Sequence, residues 1–203
     1  MKRSNNYALA QERAAAYFLS FSQEELIQKW KLSCDENRIN LRFLCKEYYI
    51  CRKTGNVFAS DGSAAGYDAA LSIYDLLCHE GQDKKAAGRY APVNSLGIRY
   101  VGVDTGFYQG IATEFDRNFA EFQAACLRLG GQVLSIGDVG FRFPIFADLK
   151  VQLKFYRGDE EFPASLTLLW DENTLQFVHY ETVFYMAGVL LNRIRQEMAM
   201  ERR

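Results

Sequence analysis

The spacing of apolar residues along the chain predicts helices at its start, middle and end. Apolar side chains recur at steps of three and four residues, the period of one helix face, in the stretches 7–21, 67–78, 111–129 and 183–198. Ser22 and Glu25 have the spacing of a capping box, in which the two side chains bond the first free amides of a helix. A further short helix is therefore expected directly after Ser22.

Between these helices the apolar period falls from about 3.6 to about 2, which is typical of strands with one buried face. The alternation predicts a hairpin over 38–52, a short strand near Val57, and strands at 133–136, 149–156 and 166–170. The helices are grouped rather than alternating strictly with the strands, so the expected fold class is α+β with a mostly antiparallel sheet. We predict one globular domain over residues 1–203.

Composition and charge limit the classes of function. The chain has 203 residues, 49% hydrophobic and 24% charged, with 24 basic against 25 acidic residues. A net charge of −1 supplies no polycation for a phosphate backbone, so no nucleic-acid partner is expected. Aromatic residues reach 14%, and most phenylalanines fall on the apolar stripes. Five tyrosines instead fall in loops, at element ends or on polar faces, positions that suit pocket rims and interfaces: Tyr49, Tyr90, Tyr108, Tyr156 and Tyr180.

The sequence shows no sign of membrane insertion or secretion. Gln11, Glu12 and Arg13 interrupt the apolar residues near the N-terminus. The most apolar C-terminal stretch, 183–191, is far shorter than the ~20 residues that span a bilayer. The 5 cysteines include no C-x-x-C pair, so zinc-knuckle, iron–sulfur and thioredoxin motifs lack support. Because free thiols fit a reducing compartment, we predict a cytoplasmic protein with no membrane partner.

The GDEEFP stretch at 158–163 lies between two predicted apolar strands and is followed by Asp171 and a C-terminal helix. Together with Gly106-Phe107-Tyr108 before a helix, it resembles an uncharacterised prokaryotic family, domain of unknown function number 3786. The resemblance covers most of the chain and is densest at about 149–194. It implies no established activity and no catalytic residues to transfer. Some family members carry an added cysteine-rich iron–sulfur segment, and no such segment occurs among these 203 residues.

Three adjacent carboxylates in that stretch, Asp159, Glu160 and Glu161, form the first candidate ligand site. Carboxylates bind hard divalent cations, and a carboxyl kept protonated beside ionised neighbours can act as a general acid. The alternative is a solvated hairpin turn in which one of these acids accepts hydrogen bonds from backbone amides. Adjacent residues of a strand point to opposite faces, so the three acids cannot all converge. This geometry favours the turn.

A glycine-rich loop is the second candidate. Gly102, Gly106 and Gly110 lead into the helix predicted at 111–129, and Tyr108 lies among them. Amides at the start of a helix can hold an anion. However, the sequence matches neither the dinucleotide-binding motif nor the P-loop motif, so tight turning beside bulky aromatics is favoured. Tyr108 is kept as a candidate ligand-binding residue.

A small basic group is the third candidate. Lys84, Lys85 and Arg89 lie in an irregular segment next to Tyr90. Proteins that bind single-stranded nucleic acids combine basic side chains with aromatic rings on which the bases stack. Three charges make a small patch, so a solvated or partner-facing loop is favoured, with Arg89 kept as a candidate ligand-binding residue.

The 2 histidines are the fourth candidate. His79 follows Cys78 at the predicted end of a helix, and His179 precedes the last helix. Neighbouring helical residues diverge by about 100°, so Cys78 and His79 cannot form a nucleophile–base pair. A metal site of His79, His179 and an acidic residue is conceivable, but no local spacing supports it. No metal ligand is assigned, and His79 is kept as a candidate ligand-binding residue.

The function expected from the sequence is a non-catalytic module that binds a small molecule or a protein partner. One alternative is a hydrolase or transferase that uses the carboxylates of 159–161, with or without a divalent ion. Another is a regulatory or assembly homodimer with exposed aromatic side chains. The sequence identifies no catalytic residue and no cofactor.

Overall fold

The structure is a computed structural model that describes residues 3–81, 84–96 and 108–200. The described residues form an α+β fold with two antiparallel sheets, so the predicted fold class is confirmed. The chain divides into two compact units, Met1–Lys84 with Gln176–Val189 and Lys85–Leu175 with Leu190–Arg203. The single domain over 1–203 stays a prediction.

Helices and strands follow the order expected from the apolar periods. The helices are α1 (Arg3–Leu19), α2 (Gln23–Trp30), α3 (Tyr67–Cys78), α4 (Gln109–Arg117), α5 (Phe119–Arg128), α6 (Thr174–Phe177) and α7 (Tyr180–Met200). The strands are β1 (Ser33–Cys34), β2 (Arg38–Phe43), β3 (Lys46–Cys51), β4 (Val57–Ala59), β5 (Tyr90–Pro92), β6 (Gln132–Leu134), β7 (Val139–Phe146), β8 (Leu149–Tyr156) and β9 (Ser165–Asp171). Within the described part of the chain, no helix combines the length and apolarity that a bilayer crossing requires.

The first unit contains a four-stranded antiparallel sheet in the order β1-β2-β3-β4. The predicted hairpin over 38–52 is confirmed, because β2 pairs with β3 and Ile39 lies opposite Ile50. Ile39, Leu41 and Phe43 are buried, as the alternation in β2 predicts. The side chain of Ser22 accepts from the amide of Glu25 at 3.3 Å, so the expected helix cap is present.

Helix α1 packs closely on this unit at one glycine. Gly55 has a φ of +74°, and a Cβ added there would lie 2.9 Å from the carbonyl oxygen of Ala15 in α1. The same turn accepts a hydrogen bond of 2.8 Å from the buried hydroxyl of Tyr74 in α3. Positive φ and close backbone approach are the conditions that favour glycine. The loop after β3 therefore joins α1 and α3.

The second unit contains a five-stranded antiparallel sheet in the order β5-β9-β8-β7-β6. One face of the sheet packs against α4 and α5 through phenylalanine rings. Phe122 of α5 stacks on Phe115 of α4 with centroids 4.6 Å apart, and it lies 5.1 Å from Phe155 of β8. Aromatic pairs at such distances stabilise a core beyond their buried area. Most of the phenylalanine surplus is therefore structural.

One prediction of secondary structure is wrong, and one strand is missed. The helix predicted over 111–129 is two helices, because Asn118 has φ −122° and ψ 47° and ends α4 before α5 begins. The side-chain amide of Asn118 donates to the carbonyl of Glu114 at 2.8 Å, which compensates part of the lost helical bonding. Strand β7 was not predicted, since Gly137 and Gly140 resemble a break, yet β7 pairs with β8 along most of its length.

Asp171, at the end of β9, anchors the segment that leads into β5. Its carboxylate is fully buried and accepts from the amides of Ala87, Gly88 and Asn173 at 2.8, 2.7 and 2.9 Å. A buried carboxylate is tolerated when hydrogen bonds replace its lost hydration. The side chain of Asn173 also donates to the carbonyl of Lys85 at 2.9 Å. Asp171 thus fixes the path of residues 85–90 beside the sheet.

We expect Asp171→Asn to lower the free energy of unfolding by roughly 2–3 kcal/mol, because an amide NH₂ would face buried N–H donors. Urea denaturation followed by circular dichroism measures the change. Glu172→Gln is the matched control, since Glu172 is a neighbouring partly exposed residue whose pairing partner, Arg89, is exposed. Equal losses for the two variants would contradict the anchoring role of Asp171.

Candidate metal centre

The structure brings together Asp75, His79 and His179 in the first unit. One potential ligand atom from each residue lies within 4.8 Å of the other two. Oδ1 of Asp75 is 2.7 Å from Nδ1 of His179 and 3.8 Å from Nδ1 of His79. The two imidazole rings meet edge to face, with centroids 4.4 Å apart. Both histidines of the chain therefore belong to one cluster.

The local helical structure explains how Asp75 and His79 come together. Both lie at the C-terminal end of α3, four residues apart, where side chains share a face. His79 is the C-cap of this helix, and its amide donates to the carbonyl of Asp75 at 2.8 Å. This arrangement depends only on helix geometry.

His179 joins them because Asp75 caps the start of α7. Oδ2 of Asp75 accepts from the amide of His179 at 2.8 Å and from the hydroxyl of Thr182 at 2.5 Å. A carboxylate at a helix N-terminus satisfies free amides and complements the helix dipole. One carboxylate thus caps a helix and contacts an imidazole at the same time.

Gly81 permits the approach of the segment before α7. A Cβ added at Gly81 would lie 1.8 Å from the carbonyl oxygen of Gln176, so a side chain there is incompatible with the observed packing. Gln176 is three residues before His179, and Gly81 is two residues after His79. The close backbone contact therefore places the two histidines next to each other.

A partly buried lysine lies beside the cluster. Nζ of Lys84 donates to the carbonyl of Leu76, the residue after Asp75, at 3.3 Å and lies 5.2 Å from the centroid of the Trp30 ring. Burial, together with a smaller effect of the nearby charge of Lys29, lowers the pKa of Lys84 to about 8. Burial likewise raises the pKa of the Cys78 thiol to about 12. The cluster thus lies in a partly desolvated environment.

The three side chains are a chemically suitable set for a first-row metal ion. Imidazole nitrogen with carboxylate oxygen suits zinc, iron and nickel. Metal–ligand distances of about 2.0–2.1 Å in a tetrahedral site put ligand atoms roughly 3.3 Å apart. The 3.8 Å and 2.7 Å separations around Asp75 lie on either side of that value. All three ligand atoms lie within 4.8 Å of one another, so binding an ion requires side-chain rotations that bring them closer together.

The GDEEFP stretch forms an exposed turn. Oδ1 of Asp159 accepts from the amides of Glu161 and Phe162 at 2.9 and 2.7 Å. These two bonds lower the pKa of Asp159, the Phe162 amide having the larger effect. Glu160 and Glu161 are exposed. The carboxylate of Asp159 therefore stabilises its own turn, as the alternative explanation for this stretch predicts.

The other predicted residues have separate partners. Arg89 pairs with Glu172 at 2.6 Å on an exposed loop, and the hydrogen bond to Glu172 raises the pKa of Arg89. Tyr108 precedes α4, and burial raises its pKa to about 12. Gly102 and Gly106 lie outside the described residues. Of the predicted ligand-binding residues, His79 belongs to the cluster that it forms with Asp75 and His179.

A pocket of about 300 Å³ also lies in the first unit, between α1, α3 and β4. Gln11, Glu12, Asn56 and Tyr74 contribute to its lining among small apolar side chains. Its lining includes none of the predicted site residues. The pocket therefore gives no support to a carboxylate site at 159–161.

The sequence prediction missed Asp75. Its spacing from His79 is a readable signal, because an acid and a histidine four residues apart on a predicted helix share one face. His179 had no such signal. Its approach depends on the contact between Gly81 and Gln176, which joins distant parts of the chain.

The fold and this site define an α+β protein with two histidines and one carboxylate in a single cluster. A family model described as a domain of unknown function, DUF3786, matches residues 22–193. The chain therefore belongs to this family, as the GDEEFP resemblance predicts. Comparison with curated proteins and with solved structures gave no match.

We expect Gly81→Ala to separate the two histidines and to lower the free energy of unfolding by roughly 1–3 kcal/mol, because a Cβ forces the backbone apart. Nuclear Overhauser effects between the two imidazole rings report their separation directly. Gly66→Ala, at the other end of α3, is the control, since a Cβ there meets no atom within 4 Å. Ring–ring effects unchanged in Gly81→Ala would contradict this role.

We expect Lys84→Met to raise the free energy of unfolding by roughly 1 kcal/mol at pH 7, after allowance for the partial exposure of the side chain. The folded-state pKa of about 8 lies below the ordinary 10.5, so below pH 8 the fold holds an unfavourable charge. This cost disappears as the pH rises from 8 to 10.5, because the folded protein releases the proton first.

Urea denaturation of wild type and variant at pH 7.0 and 9.5 tests the prediction. The advantage of Lys84→Met should shrink at the higher pH, whereas the exposed control Lys85→Met should change little at either. An advantage independent of pH would show that packing, rather than charge, determines the effect.

Proposed function

We propose that this protein is a binding module whose ligand is a divalent first-row metal ion, held by Asp75, His79 and His179. The observation that carries the proposal is that the chain's 2 histidines meet at one carboxylate although they come from distant parts of the sequence. The proposal gives a chemical identity to the small ligand expected from the sequence.

The ligand set supports binding with an open coordination position. Three protein ligands leave a fourth tetrahedral position for water or for a further group. The 2.7 Å contact between His179 and Asp75 is a hydrogen bond without metal, and a cation between the two side chains replaces the proton that they share. Thr182 and the His179 amide continue to orient the carboxylate from its other oxygen.

Exposure supports access for an ion. The side chain of His179 is 67% exposed, whereas those of Asp75 and His79 are 12% and 15% exposed. Two ligands are thus held in place by their surroundings, and the third faces solvent. An ion can enter from the side of His179 without local unfolding.

The two alternatives from the sequence have less support. A hydrolase or transferase at 159–161 needs carboxylates that converge on a substrate, but Asp159 accepts from the amides of its own turn, and Glu160 and Glu161 are exposed to solvent. A homodimer needs exposed aromatic side chains on one face. Among the described residues the most exposed aromatics belong to different elements, Tyr7 and Tyr17 to α1, Tyr156 to β8 and Phe162 to the following turn.

Zinc titration of the reduced protein by isothermal calorimetry tests the proposal. We expect one ion per chain, and a loss of affinity of at least tenfold for His79→Ala and for His179→Ala. The chain's two histidine ring signals should both shift on zinc binding in NMR spectra. Asp75→Asn should weaken binding as well, while Asp68→Asn on the same helix provides the matched control.

Cobalt absorption separates this site from the free cysteines, since Cys34 is exposed and Cys45 and Cys51 are partly exposed. We expect visible bands of a nitrogen- and oxygen-ligated ion without thiolate charge-transfer absorption. Zinc binding that survives in the double variant of both histidines, or intense thiolate bands, would show that the proposed site is wrong.

A further inference from the structure

A polar row crosses the second unit's sheet on the face opposite the phenylalanine core. The strand register places Gln132, Arg142, Gln152, Leu169 and Pro92 side by side across all five strands. Side chains two residues apart on a strand share a face, so Lys150 and Lys154 flank Gln152 on this surface. The row and the residues that flank it thus include one arginine, two lysines and two side-chain amides.

Arg142 lies across this face toward the far edge of the sheet. Its guanidinium carbon is 5.4 Å from the centroid of the Tyr90 ring, although two strands separate β7 from β5. The Nε atom of Arg142 is buried and has no hydrogen-bond partner. A buried donor of a charged group without an acceptor is costly. The position therefore lacks an acceptor, and because Nε of Arg142 and the side chain of Gln152 are both buried, these side chains must shift to admit one.

The charge around Arg142 selects an anion. Among the residues of these five strands on this face, Asp171 is the carboxylate, and its oxygens already accept from three backbone amides. Lys150 and Lys154 add two positive charges to that of Arg142. Guanidinium groups bind phosphate oxygens with paired hydrogen bonds, and lysine adds charge without directional demand.

We propose that this face, with Arg142 at its centre and Lys150, Lys154 and Gln152 beside it, binds the phosphate group of a small molecule. Once a side-chain shift uncovers it, Nε of Arg142 donates to one phosphate oxygen, and the amide of Gln152, which is 8% exposed and directly opposite Arg142 in the register, donates to the same group. Tyr90 holds the guanidinium plane through its ring face. The site is independent of the proposed metal centre, which belongs to the first unit.

The test uses metal-free protein and inorganic phosphate as the probe. Phosphate should raise the melting temperature more than sodium chloride at equal ionic strength, and calorimetry should give one site per chain. Arg142→Lys keeps a positive charge but lacks the paired donors, so we expect at least tenfold weaker phosphate binding. Arg128→Gln is the control for loss of an arginine that pairs with Glu197 in the same unit.

The variant Arg142→Met provides a second test, whose expected result differs from that of a variant with a folding defect. Removing an unpartnered buried donor should leave the melting temperature in phosphate-free buffer unchanged or higher, and should remove the response to phosphate. A protein in which Arg142 is merely structural would instead melt lower without phosphate and keep the response. That result would overturn the proposal.

Two further measurements distinguish phosphate binding at this face from binding to a metal ion and from binding of a nucleic-acid strand. Adding zinc to the metal-free protein should leave phosphate binding unchanged; phosphate binding that appears only when zinc is present would assign the phosphate to a metal ion and overturn the proposal. A ten-nucleotide single-stranded DNA should bind no more than tenfold tighter than inorganic phosphate. Much tighter, length-dependent binding would identify a nucleic-acid strand as the occupant and show that the small-molecule proposal is wrong.

Discussion

The carboxylate of Asp75 is the interaction on which the first unit's candidate site depends. It is the residue through which the end of α3 meets the start of α7, since it accepts from the amide of His179, the ring of His179 and the hydroxyl of Thr182. The same group lies 3.8 Å from His79. The contact between the Asp75 carboxylate and the start of α7 thus both caps a helix and assembles the ligand set. A change in one of these roles therefore changes the other.

Much of the fold follows from periodicity that is visible in the sequence. Strand β2 alternates cleanly because one of its faces is buried, and the apolar residues of β8 are buried as predicted, although Gln152 on the face expected to be exposed is buried as well. Strand β7 was not predicted because its alternation of buried and exposed residues begins within a glycine-rich stretch, where local propensity disfavours a strand. The break at Asn118 was not predicted because apolar residues continue at helical spacing across it. The sequence pattern is therefore that of one helix, although the backbone forms two.

The candidate site was predictable in part. The Asp75–His79 spacing is a property of a single helix and can be read from neighbouring residues. The approach of His179 depends on a backbone contact at Gly81 between segments distant in sequence, and no local pattern encodes such a contact. The same reasoning explains why the sequence pointed to Tyr90 but not to Arg142, whose guanidinium lies over the Tyr90 ring: the contact spans strands that only the sheet order brings near each other.

The donors that satisfy Asp171 have a consequence for how this sequence can vary. All three are backbone N–H groups, at Ala87, Gly88 and Asn173, and every residue except proline supplies such a group. The side chain at 87 can therefore change widely while the chain keeps its path, whereas the side chain of Asn173 adds a bond to the carbonyl of Lys85, and Gly88, with a φ of +73°, favours glycine. Relatives can share this loop's conformation with little identity in its sequence, provided that an aspartate ends the strand.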